Sequence, residues 1–372
     1  MKERLTRFFA SRWGIVLVGA VIGLLAAQLQ KLGNPANMGI CVACFERDIT
    51  GALGLHRAAA TQNIRPEIIG MVLGATLAAL LFGEFKARGG SAPMVRFVLG
   101  AFAMIGALVF LGCPWRAMLR LAGGDLNALL GIAGLALGIT IGVIFLKNGY
   151  NLGRATKMRA AVGWVLPGIM LGLLYLRIAK PVFGEGAPIF FSEKGPGSMF
   201  APVIVSLIVG LAIGFLAQRT RFCTMGAIRD FILMNDTHLL SGLGALVIAA
   251  FLANLAFGQF HPGFAAQPVA HSNHLWNFLG MTLSGLAFAL SGGCPGRQLF
   301  LAGEGDSDAA IFVFGMIFGA AFAHNFNLAG KPDALVDGML TVGGISPFGM
   351  AAVAVGLVVC LAIGFSMREK IA

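Results

Sequence analysis

The sequence is poor in charged residues and in cysteine. Only 12% of its 372 residues carry a charge, whereas 58% are hydrophobic and the mean hydropathy is +0.85, values that exclude an ordinary soluble globule. Six cysteines in a chain of this length do not make the disulfide framework of a small secreted protein. The net charge of +11 is spread between hydrophobic runs and forms no basic stripe, which argues against nucleic acid as a partner. The composition therefore predicts a polytopic membrane protein.

Long apolar runs make up most of the chain. A helix needs about 17–25 apolar residues to cross a bilayer. Ten runs of this kind lie at roughly 13–30, 68–85, 94–112, 126–147, 162–180, 200–218, 239–258, 276–293, 308–326 and 345–367. The first run lacks the small-residue cleavage site of a signal peptide, so we expect it to be retained. The predicted fold is an all-α polytopic membrane protein with about ten spans and additional short membrane-inserted helices.

The basic residues between the runs predict the orientation in the membrane. If the basic residues of positions 2–12 lie in the cytoplasm, alternate threading places the other basic clusters on the same side, at 86–96, 147–159, 219–221 and 368–370. The segment 261–274, on the opposite side, has neither lysine nor arginine. The positive-inside rule therefore predicts that both the N- and the C-terminus are cytoplasmic.

Two motifs recur about half a chain later. Residues of the first motif reappear after 181 positions, so that Cys113, Arg116 and Asp125 correspond to Cys294, Arg297 and Asp306. Residues of the second reappear after 182 positions, so that Cys41, Arg47 and Asp48 correspond to Cys223, Arg229 and Asp230. Each half then holds five spans, and an odd number inverts the second copy relative to the first. We therefore predict two inverted repeats, residues 1–185 and 186–372, that form one integral membrane domain.

Equivalent segments of inverted repeats converge on the membrane midplane, where broken helices line a cavity. Cys41 and Cys113 would approach this region from outside, and Cys223 and Cys294 from the cytoplasm, so we predict a ladder of four thiols through the membrane. Glycine before and proline after the central cysteines, Cys113 and Cys294, allow one helix to end and another to begin there. The free N–H groups and the dipole of such a helix start favour an anion.

Arg116 and Arg297 lie one turn into these predicted helices. An arginine at bilayer depth costs about 2.5–3.5 kcal/mol or more unless something compensates its charge. Two interpretations remain open at this point. The arginines form structural ion pairs with Asp125 and Asp306, or they compensate the charge of a substrate anion. The neighbouring residues Arg47 and Asp48, like Arg229 and Asp230, admit the same two interpretations.

Two further cysteines have no counterpart in the other half. The spacing Cys41-x-x-Cys44 suggests a metal or redox site, but Gly226 stands where the repeat would place a second Cys44, and no other close ligand pair accompanies it. We therefore predict neither a metal nor a cofactor. Cys360 lies in the last apolar run, where the simplest interpretation is a small buried hydrophobic residue.

Residues 221–230, with the sequence Arg-Phe-Cys-Thr-Met-Gly-Ala-Ile-Arg-Asp, resemble a signature of the YeeE/YedE family of bacterial inner-membrane transporters. The segments 292–294 and 302–305 resemble a second signature, and the resemblance covers nearly the whole chain. The first-half versions at 41–48 and 112–116 are similar to the YedE branch associated with selenium metabolism. The proline after each central cysteine, and the arginine three residues after it, depart from what we expect in the thiosulfate branch.

This resemblance implies an hourglass-shaped helical transporter in the bacterial inner membrane, in which thiosulfate passes along cysteines by transient S–H···S contacts. By motif match, Cys113 and Cys294 would act at the centre, Cys41 toward the outside and Cys223 on the cytoplasmic side. The expected function is a permease for a small selenium or sulfur anion, with thiosulfate transport as the alternative. A cytoplasmic sulfur or selenium carrier protein remains open as a partner besides the lipid bilayer.

An alternative of another class is a membrane thiol enzyme that transfers sulfane sulfur or selenium, because thiol exchange suits such chemistry. The sequence has no clear catalytic base beside a cysteine and no cofactor motif. We therefore expect a transporter and not an enzyme.

Overall fold

The computed structural model describes residues 2–184, 188–336 and 339–369. The helices of the first part are α1 Lys2–Phe9, α2 Arg12–Lys31, α3 Val42–Ala52, α4 Pro66–Phe82, α5 Pro93–Phe110, α6 Pro114–Ala122, α7 Asn127–Lys147, α8 Ala160–Gly163 and α9 Val165–Ala179. Those that follow are α10 Val203–Thr220, α11 Thr224–Met234, α12 His238–Ala256, α13 His274–Ser291, α14 Pro295–Gly303, α15 Ser307–Asn325 and α16 Pro347–Ser366. Short strands β1 Arg88–Gly89 and β2 Thr156–Lys157 pair antiparallel, as do β3 Ala334–Val336 and β4 Met339–Thr341.

All ten predicted apolar runs are helices, namely α2, α4, α5, α7, α9, α10, α12, α13, α15 and α16. Within the described ranges, eight helical segments are long and apolar enough to cross a membrane. The other two apolar helices, α4 and α9, are shorter, with 17 and 15 residues. Large hydrophobic side chains such as Trp13, Ile204 and Val358 are exposed on the outer surface, as lipid contact requires. The prediction of an all-α polytopic membrane protein is confirmed.

Four short helices, α3, α6, α11 and α14, lie between the long ones. Both α6 and α14 begin with proline, whose missing N–H costs nothing in the first turn. The preceding helix α13 ends at Gly292, whose φ of +87° lies in the left-handed region that glycine adopts without strain. The chain therefore breaks and restarts as a helix within three residues, which brings Cys294 to the start of α14.

The long helices pack in pairs that join the two halves of the chain. Helix α7 packs against α13, and its counterpart α15 packs against α5. Helix α4 packs against α10, and α12 packs against α2. Glycines permit this close contact at equivalent places, because a Cβ at Gly23 would collide with the carbonyl of Leu246, and one at Gly214 with the carbonyl of Met71.

This packing is reciprocal. In the repeat, α2 corresponds to α10, α4 to α12, α5 to α13 and α7 to α15. Replacing both helices of a pair by their counterparts therefore gives the other pair. The last helix of each half breaks the pattern, because α9 packs against α4 and α14, whereas α16 packs against α13 and α5. The division into repeats 1–185 and 186–372 stays a prediction that the paired packing supports. The boundary between the repeats falls outside the described residues.

Candidate functional site

Each of the four short helices begins immediately after one of the four predicted path cysteines. Cys41 and Cys223 cap α3 and α11, and their Sγ atoms accept hydrogen bonds from the backbone N–H of Cys44 at 3.3 Å and of Gly226 at 3.2 Å. Cys113 and Cys294 occupy the same capping position before α6 and α14, but their thiols make no capping bond. All four side chains are buried. Four thiols thus lie at four helix N-termini, where the dipole places partial positive charge.

The first-half cysteines form a close cluster. The Sγ atoms of Cys41 and Cys113 are 3.8 Å apart, within reach of an S–H···S contact. Cys44, to which the sequence assigned no role, directs its thiol to the carbonyl of Leu111 at 3.8 Å and lies 3.7 Å from Nη1 of Arg116. Three thiols and one guanidinium therefore meet where α3 and α6 begin.

The second-half cysteines occupy the equivalent places. Cys223 and Arg297 line one cavity, and the thiol of Cys294, at the N-cap of α14, lies near that of Cys223. All six cysteines of the chain are free thiols. The structure thus brings the predicted path cysteines together as two pairs, one from each half. Cys360 is buried in α16 apart from both, as expected of a packing residue.

The predicted partner of Arg116 is wrong. Asp125 is paired with Arg120 instead, with 2.6 Å between Oδ2 and Nε, and both side chains are fully buried. Arg120 lies one turn further along α6, so it reaches the loop that follows the helix. The guanidinium of Arg116 donates to four backbone carbonyls, those of Asn37, Leu111, Pro268 and Val269. Among the described residues no carboxylate neutralises it, so a net positive charge is held beside the thiols.

The predicted partner of Arg297 is wrong as well. Asp306 accepts from Nε of Arg88 at 2.8 Å and caps α15 through the backbone N–H of Ala309. Nη1 of Arg297 lies 3.5 Å from Oε1 of Glu304, and neither of these two atoms has a hydrogen-bond partner in the described parts of the chain. The positive charge of Arg297 is therefore only weakly neutralised by Glu304.

The adjacent charges of the second motif do contact one another. Arg47 Nη2 lies 2.6 Å from Asp48 Oδ1, and Arg229 Nε lies 2.7 Å from Asp230 Oδ1. Arg65, which the sequence did not single out, also binds Asp48 at 2.7 Å. Two arginines thus share one carboxylate in the first half, which leaves one positive charge in excess.

A cavity adjoins each cysteine cluster. We name the first the Arg47 cavity; it has a volume of about 350 Å³, and its lining includes Arg47, Leu111, Val269, His324 and Lys331. We name the second the Arg229 cavity; it has a volume of about 330 Å³, and its lining includes Arg221, Cys223, Arg229, Gly292 and Arg297. Leu111 corresponds to Gly292 and Arg47 to Arg229 in the repeat, so the two cavities lie at equivalent places. The Arg229 cavity has three arginines in its lining, and the Arg47 cavity has one arginine and one lysine, so both suit an anion.

A histidine pair beside the Arg47 cavity joins the buried His56 to the partly buried His324, a contact that the sequence does not predict. The ring centroids of His56 and His324 are 4.5 Å apart with the ring planes tilted by 32°, and Nε2 of His56 lies 3.0 Å from the carbonyl oxygen of Arg47. Burial lowers the pKa of His56, since the charged imidazolium would lose its hydration. A neutral His56 thus fixes the backbone that carries Arg47. Among the described residues, no group of three or more His, Cys, Asp or Glu side chains has the arrangement needed to hold a metal ion.

Comparison with known proteins links this geometry to sulfur transport. The family model described as sulphur transport matches residues 219–372. The chain is 30% identical over 117 residues to the thiosulfate transporter TsuA of Escherichia coli strain K12, covering 31% of this chain and 32% of that protein. It is 30% identical over 105 residues to the thiosulfate transporter TsuA of Spirochaeta thermophila, covering 27% and 29%.

These alignments span less than a third of each relative's length. The family match contains the cluster of Cys223 and Cys294 together with the Arg229 cavity. The half of this membrane protein that carries the second cysteine pair is therefore similar to sulphur transport proteins.

Proposed function

We propose that the protein is an inner-membrane permease that moves a small sulfur- or selenium-containing anion into the cytoplasm along its two cysteine pairs. The observation that carries this proposal is the placement of four buried thiols at four helix N-termini, with an arginine beside each pair. The relatives named thiosulfate transporters support a substrate of the thiosulfate type.

The charge distribution favours an anion. Crossing a bilayer is costly for any ion, and positive groups held at depth reduce that cost. Arg116 is bonded by carbonyls and by the thiol of Cys44, without a carboxylate among the described residues, and Arg297 is 3.5 Å from the nearest oxygen of Glu304. Each helix start adds a partial positive charge beside its thiol. An anion that leaves the Arg47 cavity for the Arg229 cavity would therefore meet compensating charge at both cysteine pairs.

The thiols suit a substrate that carries a heavy chalcogen atom. Sulfur is polarizable, and a thiol is both a weak donor and a weak acceptor, so it contacts a terminal sulfur or selenium atom without holding it tightly. The 3.8 Å separation of Cys41 and Cys113 allows one such atom to pass between neighbouring thiols by exchange of contacts. This step forms no covalent bond and leaves both cysteines reduced.

A selenium anion is the more specific candidate. Pro114 and Pro295 follow the central cysteines and start the two helices, and Arg116 and Arg297 lie one turn inside. These are the positions at which the sequence departs from what we expect in the thiosulfate branch, and the segments 41–48 and 112–116 resemble the branch associated with selenium metabolism. Thiosulfate is supported equally by the named relatives, so the two substrates must be compared directly.

Uptake by whole cells that overproduce the protein separates these substrates. Cells would receive ³⁵S-thiosulfate or ⁷⁵Se-selenite at equal concentrations, with excess unlabelled thiosulfate, selenite or sulfate as competitor. Accumulation of one label above the level of cells that lack the protein would identify the substrate class. Accumulation of neither would contradict the proposal.

The enzyme alternative has its own test. The charged groups beside the thiols of the described residues are arginines, which activate a thiolate but do not accept its proton. The purified protein in detergent would be incubated with thiosulfate and a thiol acceptor. We expect no catalytic transfer of sulfane sulfur, and turnover of the acceptor would favour the enzyme.

A further inference from the structure

Trp115 and Gly296 occupy equivalent positions in the two halves, 181 residues apart. Each is the second residue after a central cysteine, in the first turn of α6 or α14. The two residues also touch, because a Cβ added at Gly296 would lie 3.3 Å from Cε2 and Cζ2 of the Trp115 ring. The indole ring of Trp115 therefore packs against Gly296, the residue at the equivalent position of the other half.

The indole is surrounded by residues that carry the second cysteine pair. Its ring lies 5.6 Å from the ring of Phe222, which precedes Cys223, and 6.1 Å from that of Phe300 on α14. Trp115 has the largest volume of the fully buried side chains among the described residues. A side chain that follows Cys113 therefore fills the space beside Cys223 and Cys294. Two tryptophans could not share this place, which explains why the counterpart is glycine.

The indole N–H has no hydrogen-bond partner among the residues that the structure describes, although it is buried. An indole nitrogen is a donor only, and leaving a buried donor unpaired costs free energy. Two more buried donors without a partner, Nη1 of Arg297 and Nε2 of Gln298, lie in the first turn of α14. A native protein tolerates buried donors without a partner where a ligand accepts their hydrogen bonds.

We propose that Trp115 is the central gate of the path and a hydrogen-bond donor to the anion. This inference rests on the proposed transport function and deepens it. The aromatic cluster of Trp115, Phe222 and Phe300 separates the two thiol pairs and excludes water and small ions between them. The indole N–H and the donors of α14 bind oxygen, whereas the thiols contact sulfur or selenium. The substrate class is therefore a small anion with both a terminal heavy chalcogen atom and oxygen acceptors, such as thiosulfate.

Transport by the purified full-length protein in liposomes tests the gate. Trp115→Phe keeps an aromatic ring and removes the N–H, so we expect the half-saturating concentration of ³⁵S-thiosulfate to rise by at least about tenfold, the effect of losing one hydrogen bond to a charged group. Trp115→Ala also removes the ring, and we expect these liposomes to leak chloride. Trp13→Phe and Trp13→Ala are matched controls, because Trp13 is 77% exposed, and both should behave as the wild type.

The exchange Trp115→Gly with Gly296→Trp tests the positional argument, because it moves the indole to the equivalent place in the other half. We expect it to restore the chloride barrier that Trp115→Gly alone loses. Wild-type thiosulfate kinetics in Trp115→Phe, or an intact chloride barrier in Trp115→Ala, would contradict the proposed role of Trp115. Neither result would contradict the proposed transport function. Transport of neither thiosulfate nor selenite by the wild type in the same liposomes would overturn the permease and the gate together, whereas transport of selenite alone would overturn only the gate as a thiosulfate donor.

Discussion

The thiols of Cys41 and Cys113 lie 3.8 Å apart although 72 residues separate them in the chain. The contact exists because α3 and α6 both start at the same place, each capped by one of the two cysteines. Cys223 and Cys294 repeat the arrangement at the starts of α11 and α14. Two chain breaks in each half thus serve to bring one thiol pair together, and this construction leads to the following predictions.

Arg120 and Asp125 form a structural pair. Removing one member of a fully buried ion pair leaves an uncompensated charge, so Arg120→Gln should destabilise the protein by about 3–5 kcal/mol. Adding Asp125→Asn should recover much of this loss. Thermal unfolding in detergent is the measurement, and a double variant that melts no higher than Arg120→Gln alone would contradict the pairing.

Arg116 should behave differently, since its guanidinium binds backbone carbonyls and the Cys44 thiol, and no carboxylate, among the described neighbours. We expect Arg116→Gln to lose most uptake and to cost about 1–3 kcal/mol of stability for the carbonyls left without donors. Asp125→Asn should not restore its uptake. Arg154→Gln, in an exposed loop, is the matched control. Rescue of uptake by Asp125→Asn would show that Arg116 acts through that aspartate.

Gly214 is needed for close packing of α10 against α4. A Cβ at this position would collide with the carbonyl of Met71, whereas a Cβ at Gly244 on α12 meets nothing within 4 Å. Alanine stabilises a helix relative to glycine by about 0.8–1 kcal/mol, so Gly244→Ala should melt at the same temperature or higher. Gly214→Ala should melt lower in the same assay. Equal melting temperatures would mean that the helix contact is looser than described.

The orientation of the chain is predicted from the positive-inside rule, and the predicted inverted repeats agree with it. Reporter fusions at Gln267 and Lys331 should report the outside, and fusions at Arg154 and at the C-terminus should report the cytoplasm. Lys331 lines the Arg47 cavity, so an outside signal from the fusion at Lys331 would also place that cavity on the outer side. Cytoplasmic signals from both Gln267 and Lys331 would contradict the predicted threading.

The apolar runs predicted the ten long helices because burial in lipid leaves a clear signal along the chain. The motif Gly-Cys-Pro predicted where α6 and α14 restart, since it fixes both a break and a start. The ion pairs of Asp125 and Asp306 were not predictable. Arg116 and Arg120 lie one turn apart on α6, and spacing alone does not tell which of them reaches Asp125. Asp306 pairs with Arg88, 218 residues away, through packing between the halves. Trp115 was missed too, although its glycine counterpart at the same repeat offset was a usable signal.

Uptake of ³⁵S-thiosulfate and ⁷⁵Se-selenite by cells producing Cys113→Ala or Cys294→Ala, normalised to the amount of protein in the membrane, tests the thiol path most directly. Both thiols are buried, and neither caps its helix through its sulfur, so alanine should leave the fold intact. We expect uptake by both variants to fall to the level of cells that lack the protein, and Cys360→Ala to match the wild type. Wild-type uptake by both Cys113→Ala and Cys294→Ala would contradict transport along the cysteines.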